Sequence, residues 1–437
     1  MIKIKENILH VLLILMVATS FYLSYLIWMS PVGRDTFLKN ESAFETIEEK
    51  VEEINKENIF LPIKVRYSEN NKNQETQNES LLLQIQQALS NKTYHRTKWK
   101  SYFNENDYSK AIDIEHGFEL TYGMLFPITE YLDLFNLNID ISEEEQVQVY
   151  FTKIQLDVQK NEVRFINEED WTVYTVRPEK KLTKVLEIIK KVDYQWRPVS
   201  ESVAFLSNQF LTQNELTLKK YSYISSTRRY TLFRDAFFTN PKDVRSNGTS
   251  ADTYLYDGTE TLIMKQNQEI VLFENVLENI GDLSIFEMSF PYVQRMGSNY
   301  GSVRVLNQAR NQIDYRMFVE GFPIFAEDFE GQLAFSFSDS GQGNQKNINI
   351  QGNLKTLQIP IPSQEEVVLP ATEKLVQTLY QNGADLKQIR TFMIGYEWKN
   401  IENTGVVDLI PNWFIKYGDT WLSYEGLLNQ LTEGGGV

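Results

Sequence analysis

The stretch ILHVLLILMVATSFYLSYLIWM, from Ile8 to Met29, decides how the chain is organised. It contains no Asp, Glu, Lys or Arg, and at about 1.5 Å per residue a helix of this length reaches about 33 Å. That length crosses the hydrocarbon core of a bilayer, and no other window of the chain is as long without charges. The sequence therefore predicts one transmembrane helix, with the rest of the chain on one side of a membrane.

This stretch has two interpretations. The small residues at 18–20 resemble the cleavage site of a secretory signal. The apolar run continues unbroken to Met29, so cleavage would leave a new N-terminus followed by exposed apolar residues, and we favour an uncleaved anchor. Lys3 and Lys5 precede the span, whereas Arg34 follows it beside the acidic Asp35. This bias predicts a single-pass protein of the cell membrane with a cytoplasmic N-terminus and an extracytoplasmic body.

Thr19, Ser20 and Ser24 are candidate contact residues within the span. Ser20 and Ser24 are four residues apart and therefore lie on one helix face. Small and hydroxylated residues let helices approach closely in lipid and hydrogen-bond to one another. The three residues form a predicted partner-binding face, although a serine can also bond to its own helix backbone.

The composition of the chain argues against several classes of function for the part that follows the span. There are 43 basic and 59 acidic residues, for a net charge of −16, which argues against nucleic-acid binding because that requires a basic face. Cysteine is absent, which excludes disulfides, thiolate chemistry and Cys-ligated metals. A large extracytoplasmic part without cysteine fits a bacterium that does not rely on disulfides.

Apolar residues recur at helical spacing in some segments and alternate with polar residues in others, which predicts an α+β fold with antiparallel sheets. We expect a cytoplasmic N-terminus and transmembrane helix at 1–30 and an N-terminal extracytoplasmic domain at 31–195. A middle domain at 196–280, a C-terminal domain at 281–433 and a disordered tail at 434–437 follow.

One short sequence pattern occurs twice, in the middle and C-terminal domains, and this sequence echo would fit a duplication that produced the two domains. The pattern Tyr-x-x-Phe-x-acidic-x-Phe starts at Tyr230 and again at Tyr315. Four matches over eight positions are a weak signal of a repeat.

The sequence contains no recognisable set of catalytic residues. The three histidines stand apart from one another, and no zinc-protease, nucleophile-elbow or phosphate-loop motif is present. We therefore expect no enzyme activity, no cofactor and no metal site, while an unmarked pair of carboxylates, as in a wall hydrolase, is the weakest alternative. Arg228, Arg229 and Arg234 form the densest basic cluster of the body; they are read either as an anion or partner site or as structural salt-bridge residues.

The block Arg229–Phe238, with the sequence RYTLFRDAFF, is followed by the run Asn240–Asn247 and then by Tyr256-Asp257-Gly258-Thr259. Together with the N-terminal span and the absence of cysteine, these residues resemble the YycH (WalH) family. That family contains accessory regulators of the sensor histidine kinase WalK (YycG) in low-GC Gram-positive bacteria. The strand Leu409–Trp413 also resembles one in YycI, the sister protein.

The resemblance implies a three-domain extracytoplasmic body whose last two domains are related α+β units. It also implies a complex with YycI and the kinase, in which membrane helices make the regulatory contact and cell-wall metabolism is the output. We therefore expect a non-enzymatic membrane-anchored regulator. Formation of a homo-oligomer is a further possibility. An extracytoplasmic binding module for a cell-wall glycan or small ligand is the alternative.

Overall fold

A computed structural model of the chain describes residues 13, 16–22, 54–139, 149–189, 194–202, 209–248, 252–341 and 343–434. The chain forms two compact units, Met1–Lys50 and Val51–Val437. In the first, residues 16–22 are helical and carry exposed apolar side chains, including Phe21. No helix within the described ranges is long and apolar enough to span a membrane. Most of the predicted span Ile8–Met29, including Ser24, lies outside the described residues.

Nine helices are described in the second unit. Four of them begin at an Asn or Ser whose side chain accepts a hydrogen bond from a backbone N–H of the first turn, namely Asn55, Asn78, Asn104 and Ser284. The helices are α1 Lys56–Ile59, α2 Glu79–Leu89, α3 Glu105–Ile112, α4 Ile128–Phe135, α5 Thr183–Ile189, α6 Tyr230–Phe237, α7 Ile285–Met296, α8 Thr372–Gln381 and α9 Tyr424–Gly434.

The first ten strands form one sheet in the order β10-β9-β2-β1-β4-β6-β7-β8-β3-β5. Every pair in it is antiparallel except the short β3–β5 contact at one edge. The strands are β1 Lys64–Glu69, β2 Lys72–Thr76, β3 Thr93–Ser101, β4 His116–Pro127, β5 Asn138–Ile139, β6 Tyr150–Asp157, β7 Glu162–Asn167, β8 Thr172–Pro178, β9 Arg197–Glu201 and β10 Phe210–Thr212.

The later strands form a sheet of fourteen strands and a separate two-stranded pair, β11–β23. The larger sheet runs β13-β14-β15-β16-β21-β20-β18-β19-β24-β25-β12-β22, with β17 paired to β18 and β26 paired to β25. The strands are β11 Leu216–Lys219, β12 Tyr221–Thr227, β13 Arg245–Gly248, β14 Asp252–Asp257, β15 Glu260–Lys265, β16 Ile270–Glu278, β17 Val303–Ala309, β18 Gln312–Val319, β19 Phe322–Phe325, β20 Gln332–Asp339, β21 Gln345–Asn353, β22 Lys355–Ile361, β23 Glu366–Leu369, β24 Ile389–Ile401, β25 Val406–Tyr417 and β26 Thr420–Ser423.

The largest core lies between the sheets and their helices. In the first sheet, Phe151 and Phe165 pack against Tyr131 of α4 with ring centroids 5.3 and 5.7 Å away. In the larger sheet, Phe273 packs 5.3 Å from Phe237 of α6. Each strand places alternate side chains on this apolar face, as period-two patterning requires. The observed architecture confirms the predicted α+β class with mainly antiparallel sheets.

The two large sheets touch directly. A Cβ atom on Gly123 of β4 would lie only 2.7 Å from the backbone oxygen of Leu306 in β17, so a glycine is needed at this approach. Thr212 and Thr372 form a second connection, because each backbone N–H donates to the other hydroxyl, at 2.8 and 2.9 Å.

The sequence echo does not correspond to a structural repeat. The copy at Tyr230 forms helix α6, whereas the copy at Tyr315 runs through β18, a turn and the start of β19. The matching aromatic residues pack on the core in both places, which explains their shared spacing without a common fold. The predicted domain boundaries stay predictions.

Candidate functional site

A row of charged and polar side chains crosses the first sheet on the face opposite its aromatic core. The strand register aligns the members of this row side by side on consecutive strands. From β9 to β7 they are Arg197, Glu75, Arg66, Glu119, Gln155 and Arg164. We call them the charged row. Its central members are almost fully buried, with Arg66 and Glu119 each 6% exposed and Gln155 fully covered.

Glu119 is the hub of the ion pairs in the charged row. Its carboxylate lies 3.0 Å from the Arg66 guanidinium and 3.7 Å from the Lys153 ammonium. Gln155 donates to the same carboxylate at 2.7 Å. Lys153 is also bound by Glu168 at 2.6 Å. Both carboxylate oxygens of Glu119 are therefore satisfied by charged or hydrogen-bonding partners, as a buried ion requires.

The electrostatics of Glu119 follow from this arrangement. Burial alone would raise the pKa of its carboxyl, but the cations Arg66 and Lys153 and the hydrogen bond from Gln155 outweigh it and lower the pKa to about 2. Burial likewise opposes the charge of Lys153, yet the carboxylates of Glu168 and Glu119 raise its pKa above the ordinary lysine range. The pair is ionised across the physiological pH range.

A cleft of about 520 Å³ opens above Arg66 and Glu119. One wall comes from α3 and the segment after it, including Lys110 and Asp113, and the other from β9 and β10. Phe210 on the β10 side stacks over the Arg66 guanidinium, with the ring centroid 3.7 Å away.

Within the described ranges, Arg66 keeps one donor without a protein partner. One of its terminal nitrogens donates to Ser68 and to Asn73, and the other faces Glu119. Its Nε is buried and finds no hydrogen-bond partner among the described residues. An unpaired buried donor costs free energy that an acceptor on a ligand would recover. The charged side chains of Lys110, Asp113 and Glu115 line the cleft and suit it to a small polar molecule.

Nothing in this cleft resembles a catalytic centre built on metal. Within the described ranges, no three His, Asp or Glu side chains are grouped so that they could hold a metal ion. The charged row instead pairs cations with carboxylates from strand to strand, which stabilises the sheet and leaves Arg66 as the residue that faces the cleft.

The three arginines predicted as a cluster differ in exposure. Arg228 is buried and donates to the backbone oxygens of Lys355 and Tyr300, with its guanidinium stacked 4.1 Å from the Tyr300 ring. Burial lowers the pKa of the Arg228 guanidinium.

The other two arginines lie at the surface around α6. Arg229 is exposed, and Arg234 pairs with the neighbouring Asp235 at 2.8 Å. An anion or partner site at these residues stays a prediction.

The predicted membrane-helix face is described only in part. Thr19 and Ser20 lie in the helical residues 16–22 and are exposed, while Ser24 lies outside the described residues. Their role in binding a partner stays a prediction.

The charged row was missed from the sequence, although a signal for it exists. Lys64 and Arg66 alternate with Val65 and Tyr67 in β1, and the same alternation of charged and apolar residues occurs in β6. Such a pattern is typical of a sheet with one face in water. Only the three-dimensional structure shows that helix α3 and strand β10 cover this polar face.

Known proteins share sequence features and the fold with this chain. A family model described as "YycH protein, C-terminal domain" matches residues 206–430. The crystal structure of YycH from Bacillus subtilis superposes with a TM-score of 0.67 at 14% sequence identity, covering 86% of this chain and 99% of that one. No curated protein sequence matches the chain. The family model spans more than half of the chain and includes the Arg229–Phe238 block, so the resemblance predicted from that block is confirmed. The chain belongs to the YycH family.

Proposed function

We propose that this protein is a membrane-anchored, non-enzymatic regulator of the sensor histidine kinase WalK (YycG). In this proposal it acts together with a YycI-type single-span protein and influences cell-wall metabolism. The observation that carries the proposal is membership of the YycH family, supported by a fold shared with the Bacillus subtilis protein over most of both chains.

The proposed location is the cell membrane, with the N-terminus in the cytoplasm and the body outside. Support comes from the charge-free stretch Ile8–Met29 and from the lysines that precede it. The exposed apolar side chains of Leu13, Met16 and Phe21 fit a helix whose surroundings are lipid or another apolar helix.

The proposed working surface of this helix is the face that carries Thr19, Ser20 and Ser24. A regulator can shift a kinase between two states only through contacts that differ between those states. Close packing of small residues against the kinase helix in one state supplies such a difference. The body then places the helix beside the kinase and binds the YycI-type partner.

The test uses full-length proteins in a bacterial two-hybrid or in-membrane crosslinking assay. We expect the double variant Ser20→Leu with Ser24→Leu to lose most of its signal with the kinase, because two bulky side chains prevent close approach. Ala18→Leu is the matched control, since it adds the same bulk on the opposite side of the helix. An unchanged signal for the double variant, or an equal loss for the control, would contradict the proposed face.

A pulldown of the full-length protein from membranes tests the assignment as a whole. We expect a histidine kinase and a second single-span protein to co-purify. If neither does, the regulatory proposal fails whatever the helix variants show.

The cleft above Arg66 favours a second candidate function, the binding of a small charged or zwitterionic ligand. Lys110 on one side and the carboxylates of Asp113 and Glu115 nearby line the cleft and offer both signs of charge to such a molecule. A ligand that binds only the folded state raises its thermal stability by mass action. A thermal-shift screen of wall fragments and amino acids tests this candidate function, with the Phe210→Ala variant measured beside the wild type. If none of these compounds raises the melting temperature of the wild type, the candidate function is removed.

A further inference from the structure

The larger sheet leaves one face open over four of its strands. The register of β16, β21, β20 and β18 aligns two rows of side chains on this face. The first row is Leu272, Gln351, Ala334 and Asp314, and the second is Glu274, Asn349, Ser336 and Gln312. Together with Phe329 and Gln332 at one end, they line a concave depression of about 330 Å³. We call it the amide groove.

The opposite face of these strands explains why the groove is left open. Phe273, Phe335 and Ile350 alternate with the groove residues and are buried against α6 and α7. Since strand side chains alternate between faces, the core takes one set and the groove keeps the other. At about 4.8 Å between neighbouring strands, the groove extends about 14 Å across the sheet.

The polar groups of the groove are neutral at its centre. Asn349 and Gln351 on β21 make no side-chain hydrogen bonds within the part of the chain that the structure describes, nor does Gln312 on β18. No Lys or Arg stands in either row. The two carboxylates, Glu274 and Asp314, occupy strands at opposite ends, so no pair of charges meets in the middle.

Aromatic side chains lie on two sides of the groove. Phe329 sits at one end with a φ of 62°, a backbone conformation that bulky residues rarely adopt. In this conformation its carbonyl accepts from the Gln332 N–H at 3.1 Å. Beyond β16, the two rows continue across β15 to Tyr254 and Tyr256 on β14, which are 40% and 41% exposed.

We propose that the amide groove binds a neutral oligosaccharide chain. Amide groups both donate and accept hydrogen bonds, which matches the paired donor and acceptor character of sugar hydroxyls. Phe329 and the two tyrosines offer apolar ring faces on which the C–H surfaces of sugar rings can lie. The carboxylates accept hydrogen bonds from hydroxyls and disfavour an anionic chain. The inference does not depend on regulation of a kinase.

The test measures binding of two neutral tetrasaccharides, cellotetraose and the tetramer of N-acetylglucosamine, by isothermal titration calorimetry. The full-length protein is used in lipid nanodiscs, because sugar-headed detergents would compete. We expect at least one of them to bind, and the double variant Asn349→Ala with Gln351→Ala to bind it about tenfold more weakly, since two hydrogen bonds are lost. Gln358→Ala, an exposed amide on β22, is the matched control and should bind like the wild type.

Three outcomes would overturn the proposal. These are no binding of either tetrasaccharide at millimolar concentration, equal binding by the double variant, and tighter binding of an anionic tetragalacturonate than of the neutral chains. Circular dichroism on each variant separates loss of the site from loss of the fold. Because no kinase is present, failure here leaves the regulatory proposal to be judged by its own experiments.

Discussion

The side-chain amide of Gln77 pairs with both backbone groups of Ile394. Its nitrogen donates to the Ile394 carbonyl at 3.0 Å, and its oxygen accepts from the Ile394 N–H at 3.1 Å. The two residues are 317 positions apart in the chain. Gln77 thus acts as a substitute peptide unit that attaches the end of β2 to the middle of β24.

Replacing Gln77 with alanine should destabilise the whole body. The change leaves the buried N–H and carbonyl of Ile394 without partners, and we expect the free energy of unfolding to fall by about 2–3 kcal/mol. Chemical denaturation measures the change. Gln84→Ala is the control, because Gln84 is on the surface and, within the described ranges, bonds only to Ser80; an equal loss there would show that the effect is not specific to the contact.

Gly123→Ala should separate the two large sheets locally. The added methyl group would meet the backbone oxygen of Leu306 at 2.7 Å, which neither strand can avoid by rotating a side chain. Overpacking of this kind costs about 1–3 kcal/mol. Gly426→Ala in α9 is the control, because its new methyl meets a side-chain hydroxyl, that of Ser423 at 2.9 Å, which can rotate away at the cost of the hydrogen bond it accepts from the Gly426 N–H. Thermal unfolding measures the stability of both variants. An equal loss of stability in the two would contradict this interpretation.

Glu119→Gln should be among the most damaging conservative changes in the first sheet. It leaves Arg66 and Lys153 partly unpaired in a buried position, and we expect a loss of about 3–5 kcal/mol at pH 7. Glu115→Gln is the control, because Glu115 is exposed and lies just before β4; this variant should have nearly the wild-type free energy of unfolding.

The same variant should alter the response to acid. The folded state lowers the pKa of Glu119 to about 2, below its ordinary value of 4.5. Its contribution to stability is therefore complete above pH 4.5 and is lost as the pH falls toward 2. Wild type should lose more stability than Glu119→Gln between these pH values, as measured by denaturant titrations; parallel curves would argue against ionisation of Glu119.

The contribution of Glu130 in α4 to stability should depend on pH in the opposite direction. Burial raises the pKa of its carboxyl to about 7, the nearby Glu287 adds to this effect, and a hydrogen bond with Ser284 acts against it. The folded state then binds a proton that the unfolded chain releases, so stability falls as the pH rises from 4.5 to 7. Glu130→Gln should be more stable than wild type at pH 8, by about 3 kcal/mol at most.

Denaturant titrations from pH 5 to pH 8 measure this difference. Glu105→Gln, which changes an exposed carboxylate at the start of α3, should follow the wild-type curve. A constant gap between wild type and Glu130→Gln at every pH would mean that the carboxyl does not titrate in this range.

Local elements were predictable from the sequence because local chemistry determines them. The Gly418-Asp419 pair lies between two segments of alternating apolar residues, and it forms a tight turn with Tyr417 paired to Thr420 and a φ of 57° at Gly418. Apolar residues recur at helical spacing from Leu182 onward, and this segment forms α5. Glycine's access to positive φ and the spacing of apolar residues are properties of a few neighbouring residues, so a single sequence reveals them.

Long-range relationships were not predictable in the same way. Alternation in β1 shows that Arg66 and Val65 point to opposite faces, but it does not show what covers either face. The partners of Arg66 come from β2, β4 and β10, and the pairing of these strands depends on the whole topology. The amide groove has the same origin, because its rows exist only once four distant strands are in register.

The Gln77–Ile394 pair also sets an order of events in biosynthesis. A chain that grows from its N-terminus cannot complete the packing around Gln77 until β24 has been synthesised. Until then the first sheet presents an unfinished surface that is open to association with other chains, as in large proteins that fold through intermediates. The body therefore depends on its last quarter to mature, and a chain truncated before Ile394 should be captured by chaperones or degraded.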